Sequence, residues 1–207
     1  MNTVMAAGLV SALASLCTGC IDVYQHITRG LKEIEHNTLK ITISKMILEM
    51  SGESPDYDAW LEANRGNTDI DTYGALNARI EKVNDDLDLG YVITMNLDYT
   101  DTASRDLLDR TDFIPVYAEQ YTEIHGTALS DDDDREMNEM ALAFLSTGKY
   151  RLSMSKTCIG TLKRVRMAGP AEGFADIAYI DMGDAYLIEI PILYFFSNDT
   201  TIRLYSV

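Results

Sequence analysis

The first 21 residues contain no charged side chain, and a helical pattern of apolar residues continues past the point where charges begin. From Leu9 onward, the larger apolar residues recur in steps of four and three, even after charges begin. Such spacing is typical of a long helix with one face against a partner helix. The predicted helix seam comprises Leu9, Leu13, Leu16, Cys20, Val23, Ile27 and Ile34. We expect a helix ending near Glu35 that associates within the chain or between copies.

The same segment has other interpretations. Residues 2–21 have the length of a membrane-spanning helix, and Gly8 and Ala12 would let such helices approach closely. A soluble domain anchored in a membrane by this helix is therefore an alternative. The residues Cys17-Thr18-Gly19-Cys20 resemble the end of a bacterial lipoprotein signal, in which Cys20 would carry lipid. Cys17 stands where that pattern has Leu or a similar residue, and no basic residue precedes the apolar stretch, so we favour the packed helix.

The acidic charge of the chain is concentrated in its middle third. The net charge is −16, and residues 56–139 hold twenty-two acidic and six basic side chains. Such a field repels phosphates, so we expect no direct binding of nucleic acid. The simplest interpretation is a solvated helical surface. A second alternative function is imitation of DNA, by which the chain would inhibit a basic partner protein.

A basic stretch follows the acidic segment. Residues 149–166 contain no acidic side chain and six basic ones: Lys149, Arg151, Lys156, Lys163, Arg164 and Arg166. We expect these residues on strands that pack beside acidic helices of the same chain or contact the acidic surface of the next copy. Complementary charges set register and partner choice, and head-to-tail contacts close rings or propagate stacks.

The predicted elements change type near residue 148. Helices are predicted over Thr68–Asp86 and Phe113–His125, and again after Ser130, where residues 131–134, all Asp, suit a first turn. Later segments alternate apolar and polar residues between short turns, which indicates antiparallel strands. The predicted fold class is α+β, with a long N-terminal helix and several helices followed by a C-terminal antiparallel β-meander.

The same change of pattern suggests a division of the chain. Residues 1–50 would form the N-terminal helix and a connector, and residues 51–147 an acidic, mainly helical region. Residues 148–207 would form the meander, and we expect 51–207 to be one folded unit.

No pattern of catalytic or metal-binding residues is evident. The three histidines and three cysteines lack the spacing of zinc ligands. The sequence contains no glycine-rich phosphate loop and no H-E-x-x-H motif. We therefore predict no enzyme activity, no cofactor and no metal.

The leading functional hypothesis is a non-enzymatic structural subunit that self-associates or joins other subunits in a larger assembly. Connector, tail or capsid-associated proteins of virus and phage particles are examples, and this step is analogy. It favours a location inside the cell or in the virion, with membrane anchoring through residues 2–21 as the alternative. Deleting residues 2–35 is expected to leave a folded monomer.

Overall fold

The computed structural model describes residues 21–30, 34–52, 54–64, 73, 78–100, 113–126, 148–168, 174–192 and 200–206. This part of the chain is mostly β-strand and forms two sheets. The strands of the larger sheet are β1 (Ile21–Arg29), β2 (Glu35–Ser44), β3 (Arg79–Asn84), β4 (Asp88–Leu97), β7 (Lys149–Ser155), β10 (Tyr179–Asp181) and β11 (Ala185–Pro191). Those of the smaller sheet are β5 (Pro115–Tyr117), β6 (Tyr121–Gly126), β8 (Leu162–Ala168), β9 (Phe174–Ile177) and β12 (Thr200–Ser206).

The larger sheet has the strand order β10-β11-β7-β1-β2-β4-β3, and the smaller has the order β5-β6-β12-β8-β9. Strands β1 and β7 are parallel, while the other neighbouring strands are antiparallel. Three short helices are described: α1 (Lys45–Ser51), α2 (Tyr57–Asn64) and α3 (Lys156–Ile159). The larger sheet takes strands from all three segments into which the sequence was divided.

The inward faces of the two sheets form one hydrophobic core. Along β1, Val23, Gln25 and Ile27 are buried, while the residues between them are more accessible. This alternation follows from strand geometry, in which successive side chains point to opposite faces. Core residues from the larger sheet include Leu39, Ile93, Leu152 and Ile188, and those from the smaller sheet include Ile124, Val165, Ile202 and Leu204. The sheets therefore pack against each other as two layers.

The predicted long N-terminal helix is wrong where the structure describes the segment. Residues 21–29 form β1, and the seam residues Val23 and Ile27 lie in the sheet core. Because strands repeat every two residues, a spacing of four keeps both side chains on one strand face, as it would on a helix. Ile34 lies just before β2, where its carbonyl accepts a hydrogen bond from the Gly30 N–H at 2.8 Å. Leu9, Leu13, Leu16 and Cys20 lie outside the described residues.

The predicted α+β class is also wrong, because described segments expected to be helical are strands. In the predicted helix Thr68–Asp86, the spacing of Ile80 and Val83 would put them on one face. They lie instead on β3, opposite Ile93 and Gly90, and so face opposite sides of the sheet. Residues 113–125 contain the hairpin of β5 and β6, closed by a hydrogen bond from the Ala118 N–H to the Tyr121 carbonyl at 2.9 Å. The helix predicted after Ser130 lies outside the described residues.

The C-terminal strands do not form a single meander. Strands β7, β10 and β11 belong to the larger sheet, whereas β8, β9 and β12 belong to the smaller. Short helix α3 lies between β7 and β8, where the chain passes from one sheet to the other. Local alternation predicts that these segments are strands, but sheet membership depends on partners distant in sequence, such as β1 for β7.

Gly90 permits β4 to lie close to β2, and we expect substitution there to destabilise the fold. Its φ is +155°, and an added Cβ would lie 2.0 Å from the Ile41 carbonyl oxygen. We expect Gly90→Ala to lower the free energy of unfolding by about 2 kcal/mol, measured by urea denaturation. Gly52→Ala is the control, because Gly52 has φ +84° but no atom within 4 Å of an added Cβ. Equal losses in the two variants would contradict the close approach.

Candidate functional site

A buried carboxyl group connects the two sheets. Glu35 begins β2 and has no solvent-exposed surface. The Tyr99 hydroxyl donates to Glu35 Oε1 at 3.2 Å, and the Tyr117 hydroxyl donates to Oε2. Tyr99 follows β4 of the larger sheet, whereas Tyr117 ends β5 of the smaller one. We call Glu35, Arg29, Tyr99 and Tyr117 the Glu35 cluster.

Burial controls the electrostatics of this cluster. It raises the pKa of Glu35 to about 7, although hydrogen bonds from Tyr117 and Tyr99 and the nearby charge of Arg29 oppose the shift. The Arg29 guanidinium lies 4.8 Å from the centre of the Tyr117 ring. Burial, with the neighbouring Glu35, also raises the pKa of both tyrosines and raises the pKa of Cys158 to about 11. The cluster therefore places a carboxyl that titrates near neutrality inside the core.

A second group of buried polar side chains crosses the centre of the larger sheet. Gln25 Nε2 donates to Asn37 Oδ1 at 3.1 Å and to the Phe113 carbonyl at 2.5 Å. The Tyr150 hydroxyl donates to Gln25 Oε1. Asn37 Nδ2 is buried without a hydrogen-bond partner. Because these contacts join β1, β2 and β7, they help to specify which strands are neighbours.

Sequence reasoning missed both groups. In a helix with the predicted seam, Gln25 and Arg29 would lie on the opposite, polar face, and Glu35 at the helix end. A strand reverses this assignment for Gln25, which shares the inward face with Val23 and Ile27. The alternation of polar and apolar residues from 21 to 29 could have indicated a strand. It could not have shown that Gln25 is buried, because a Gln in a strand is expected to be exposed until its hydrogen-bond partners are known.

Exposed apolar side chains gather at the end of the larger sheet where β1 begins. Leu87 is 73% exposed, Met46 45% and Met50 43%. Helix α1 follows directly from β2, and the Lys45 N–H donates to the Leu87 carbonyl at 2.8 Å, so α1 and the β3–β4 turn are adjacent. Met46 and Met50 are four residues apart and share a helix face, whereas Leu48 is buried. We call Met46, Met50 and Leu87 the apolar end.

The six predicted basic residues do not form one surface. Lys149 and Arg151 lie on β7 of the larger sheet, whereas Lys163, Arg164 and Arg166 lie on β8 of the smaller sheet; Lys156 begins α3. Five of the six have carboxylates of this chain within ion-pair distance.

These carboxylates lie outside the acidic segment 56–139. Arg151 contacts Asp22 and Glu189, the latter at 3.0 Å, and Lys156 lies 2.7 Å from Asp181. Arg166 lies 3.1 Å from Asp176 on the neighbouring strand β9. Exposed pairs of this kind each contribute about 1 kcal/mol or less. Their main effect is to balance charge within each sheet.

The described residues include neither a metal-binding cluster nor a membrane-spanning helix. They contain no group of three or more His, Cys, Asp or Glu side chains arranged to hold a metal ion. None of the described helices combines the length and apolar character needed to cross a membrane. Cys158 is buried, and Cys17 and Cys20 lie outside the described ranges.

Comparison with known proteins gives no family for this chain. A scan against protein-family models matched none of them, and searches of curated proteins and of solved structures found no match. Function is therefore inferred from the chain's own residues.

Proposed function

We propose that this chain is a non-enzymatic β-domain held at a membrane by its uncharged residues 2–20. The observation that carries this proposal is the direct junction between that segment and the fold, because Ile21 is the first residue of β1. The first charged side chain, Asp22, is the second residue of the strand. Insertion of residues 2–20 into lipid would therefore place one end of the larger sheet at the membrane surface.

The length and composition of the segment suit this role. Nineteen residues in a helix extend about 28 Å, close to the hydrocarbon thickness of a bilayer, which is about 30 Å. Leu9, Leu13 and Leu16 supply large apolar side chains, while Gly8 and Ala12 are small. A charged residue at the centre of such a segment is costly in lipid, and residues 2–20 contain none.

The placement of the seam and basic residues favours anchoring over the assembly subunit that the sequence pattern suggested. Val23 and Ile27 pack in the core of their own chain, so neither is available to a partner helix. Arg151, Lys156 and Arg166 have carboxylate neighbours within the chain. These two sets of residues thus give less support to self-association than the sequence pattern suggested. The DNA-mimic alternative depends largely on acidic residues outside the described ranges, and no described feature favours it.

Flotation with phosphatidylcholine liposomes tests the proposal. We expect the intact chain to float with the lipid, and a chain lacking residues 2–20 to stay in the aqueous fraction. Leu13→Asp should also prevent flotation, because it places a charge near the middle of the segment. Ser15→Ala is the matched control and should float like the intact chain.

The opposite result would identify the other hypothesis. An intact chain that stays out of the lipid fraction and has the mass of a defined oligomer by light scattering would contradict anchoring. Loss of that oligomer on removing residues 2–20 would then support an assembly subunit.

A further inference from the structure

We propose that the apolar end, formed by Met46, Met50 and Leu87, is a membrane-contact surface that enters the headgroup region of a zwitterionic bilayer. This inference rests on the function proposed above and adds a second point of contact to the anchor. The occupant of the surface is lipid, rather than residues 2–20 folded back or a second copy of the chain.

Strand register brings the apolar end to the side of the fold where the uncharged segment joins. Ile21 pairs with Ile43 on β2, and Ser44 pairs with Asp88 on β4, so β1 begins where β2 ends and β4 begins. Met46 and Met50 lie on α1, immediately after β2, and Leu87 immediately precedes β4. A chain that enters lipid just before Ile21 thus brings all three side chains towards the same bilayer.

No spacer separates the uncharged segment from the sheet, so a segment inserted in lipid would hold this end of the sheet close to the bilayer. Residue 21, the last of the uncharged residues, already pairs in the sheet. A long polar linker would have let the domain stand away from the bilayer, but here the sheet end lies within one or two residues of the apolar stretch. Side chains exposed at that end must therefore suit the interface, and Leu and Met gain free energy by leaving water.

The turn that carries Leu87 is held in an outward-facing conformation. The Asp85 carboxylate accepts hydrogen bonds from the Leu87 N–H at 2.9 Å and the Asp88 N–H at 2.8 Å. The Lys45 ammonium group donates to the Asp85 carbonyl at 2.5 Å. These bonds satisfy backbone groups of the turn while the Leu87 side chain remains 73% exposed. Leu87 is thus presented to solvent by a fixed turn.

The charges beside Leu87 select the kind of lipid surface. Asp85, Asp86 and Asp88 surround it in the turn, and the neighbouring cations are Lys45 and Lys40, so acidic side chains outnumber basic ones. A strongly anionic surface would repel these carboxylates. Phosphatidylcholine, whose headgroup has no net charge, accepts the apolar side chains without that repulsion.

Tryptophan substitution in the intact chain tests the contact. Leu87→Trp would be mixed with phosphatidylcholine vesicles whose acyl chains are brominated near the ester groups. Met182→Trp is the matched control, because Met182 is 50% exposed and lies in the β10–β11 turn at the opposite end of the larger sheet. The unsubstituted chain gives the contribution of Trp60, its single tryptophan.

We expect bromine to reduce the added Leu87→Trp emission about twofold and to leave the added Met182→Trp emission unchanged. Met50→Trp should behave like Leu87→Trp, which provides a second variant if one substitution disturbs folding. Flotation of each variant is measured in the same samples.

Three outcomes would overturn the inference. If the chain floats but Leu87→Trp and Met50→Trp are quenched no more than Met182→Trp, the anchor holds and the apolar end does not meet lipid. If the Leu87→Trp emission is already blue-shifted without lipid and unchanged by it, protein covers the apolar end. If the intact chain does not float, the proposed function fails together with the inference.

Discussion

A chain that begins at Glu35 is expected not to fold, whereas a chain that begins at Ile21 is expected to fold. Strand β1 lies inside the larger sheet between β7 and β2, so its loss separates the two halves of that sheet. It also removes Val23 and Ile27 from the core. Burial of each such side chain contributes about 1.5–3 kcal/mol, and the whole domain is expected to be stable by only about 5–15 kcal/mol.

Deletion of β1 also disrupts the buried polar group. The Tyr150 hydroxyl and Asn37 Oδ1 both lose Gln25 as a hydrogen-bond partner, and the loss of these buried hydrogen bonds costs further stability. Circular dichroism during heating would measure the result, with a cooperative transition expected for the chain from Ile21 and none for the chain from Glu35. A cooperative transition in the shorter chain would contradict the central position of β1. The sequence-based expectation that deleting residues 2–35 leaves a folded monomer is replaced by this prediction.

Replacing Glu35 with Gln is expected to stabilise the protein at pH 8 and to have little effect at pH 4.5. The ordinary pKa of Glu, about 4.5, applies to the unfolded chain, and burial raises the folded value to about 7. Between these values the folded protein holds a proton that the unfolded chain has released. The contribution of Glu35 to the free energy of unfolding is therefore fully present below pH 4.5 and is lost as pH rises through 7.

Between pH 4.5 and pH 7, we expect Glu35 to lower the free energy of unfolding by about 3 kcal/mol. Glutamine has nearly the same shape, retains an oxygen that accepts a tyrosine hydrogen bond, and has no charge to desolvate at any pH. Urea unfolding of both proteins at pH 4.5, 6 and 8 would measure the difference. A Glu35→Gln variant that is less stable than the unsubstituted protein at pH 8 would sink the prediction.

Glu189→Gln is a control of opposite sign. A hydrogen bond from Arg151, together with the charge and hydrogen bond of Lys149, lowers the pKa of Glu189. Its charged form therefore favours the folded state above the unfolded pKa, and this contribution is lost as pH falls through the folded value. We expect the variant to be slightly less stable at pH 8, because the ion pairs are partly exposed and screened by solvent.

Strands with regular alternation could be predicted from the sequence, but the buried polar contacts could not. Residues 90–97 and 150–154 alternate in the pattern of strands, and they lie in β4 and β7. Val23 and Ile27 misled the prediction because a spacing of four suits both periodicities. Ile80 and Val83 misled the prediction because a spacing of three residues is typical of a helix face. On β3 this spacing puts the two side chains on opposite faces of the sheet, which is tolerated because β3 is an edge strand and both residues are half-buried.

The Glu35 cluster depends on contacts that local pattern does not contain. Tyr99 is 64 residues from Glu35 and Tyr117 is 82 residues from it. A glutamate in a segment read as a helix end is an ordinary surface residue, and only the packing of the two sheets turns it into a buried group. The apolar end was missed for a related reason, since Leu87 lies among aspartates that predict an exposed turn.

The parallel pairing of β1 with β7 also affects how the chain is made. The contact between Gln25 and Tyr150 spans 125 residues, so during synthesis the hairpin of β1 and β2 emerges long before its neighbour on the other side. Until β7 leaves the ribosome, one edge of β1 has open backbone donors and acceptors that another chain could pair with. Long-range pairing of this kind slows folding, so the interval between the two strands is the period of greatest risk of aggregation for the nascent protein.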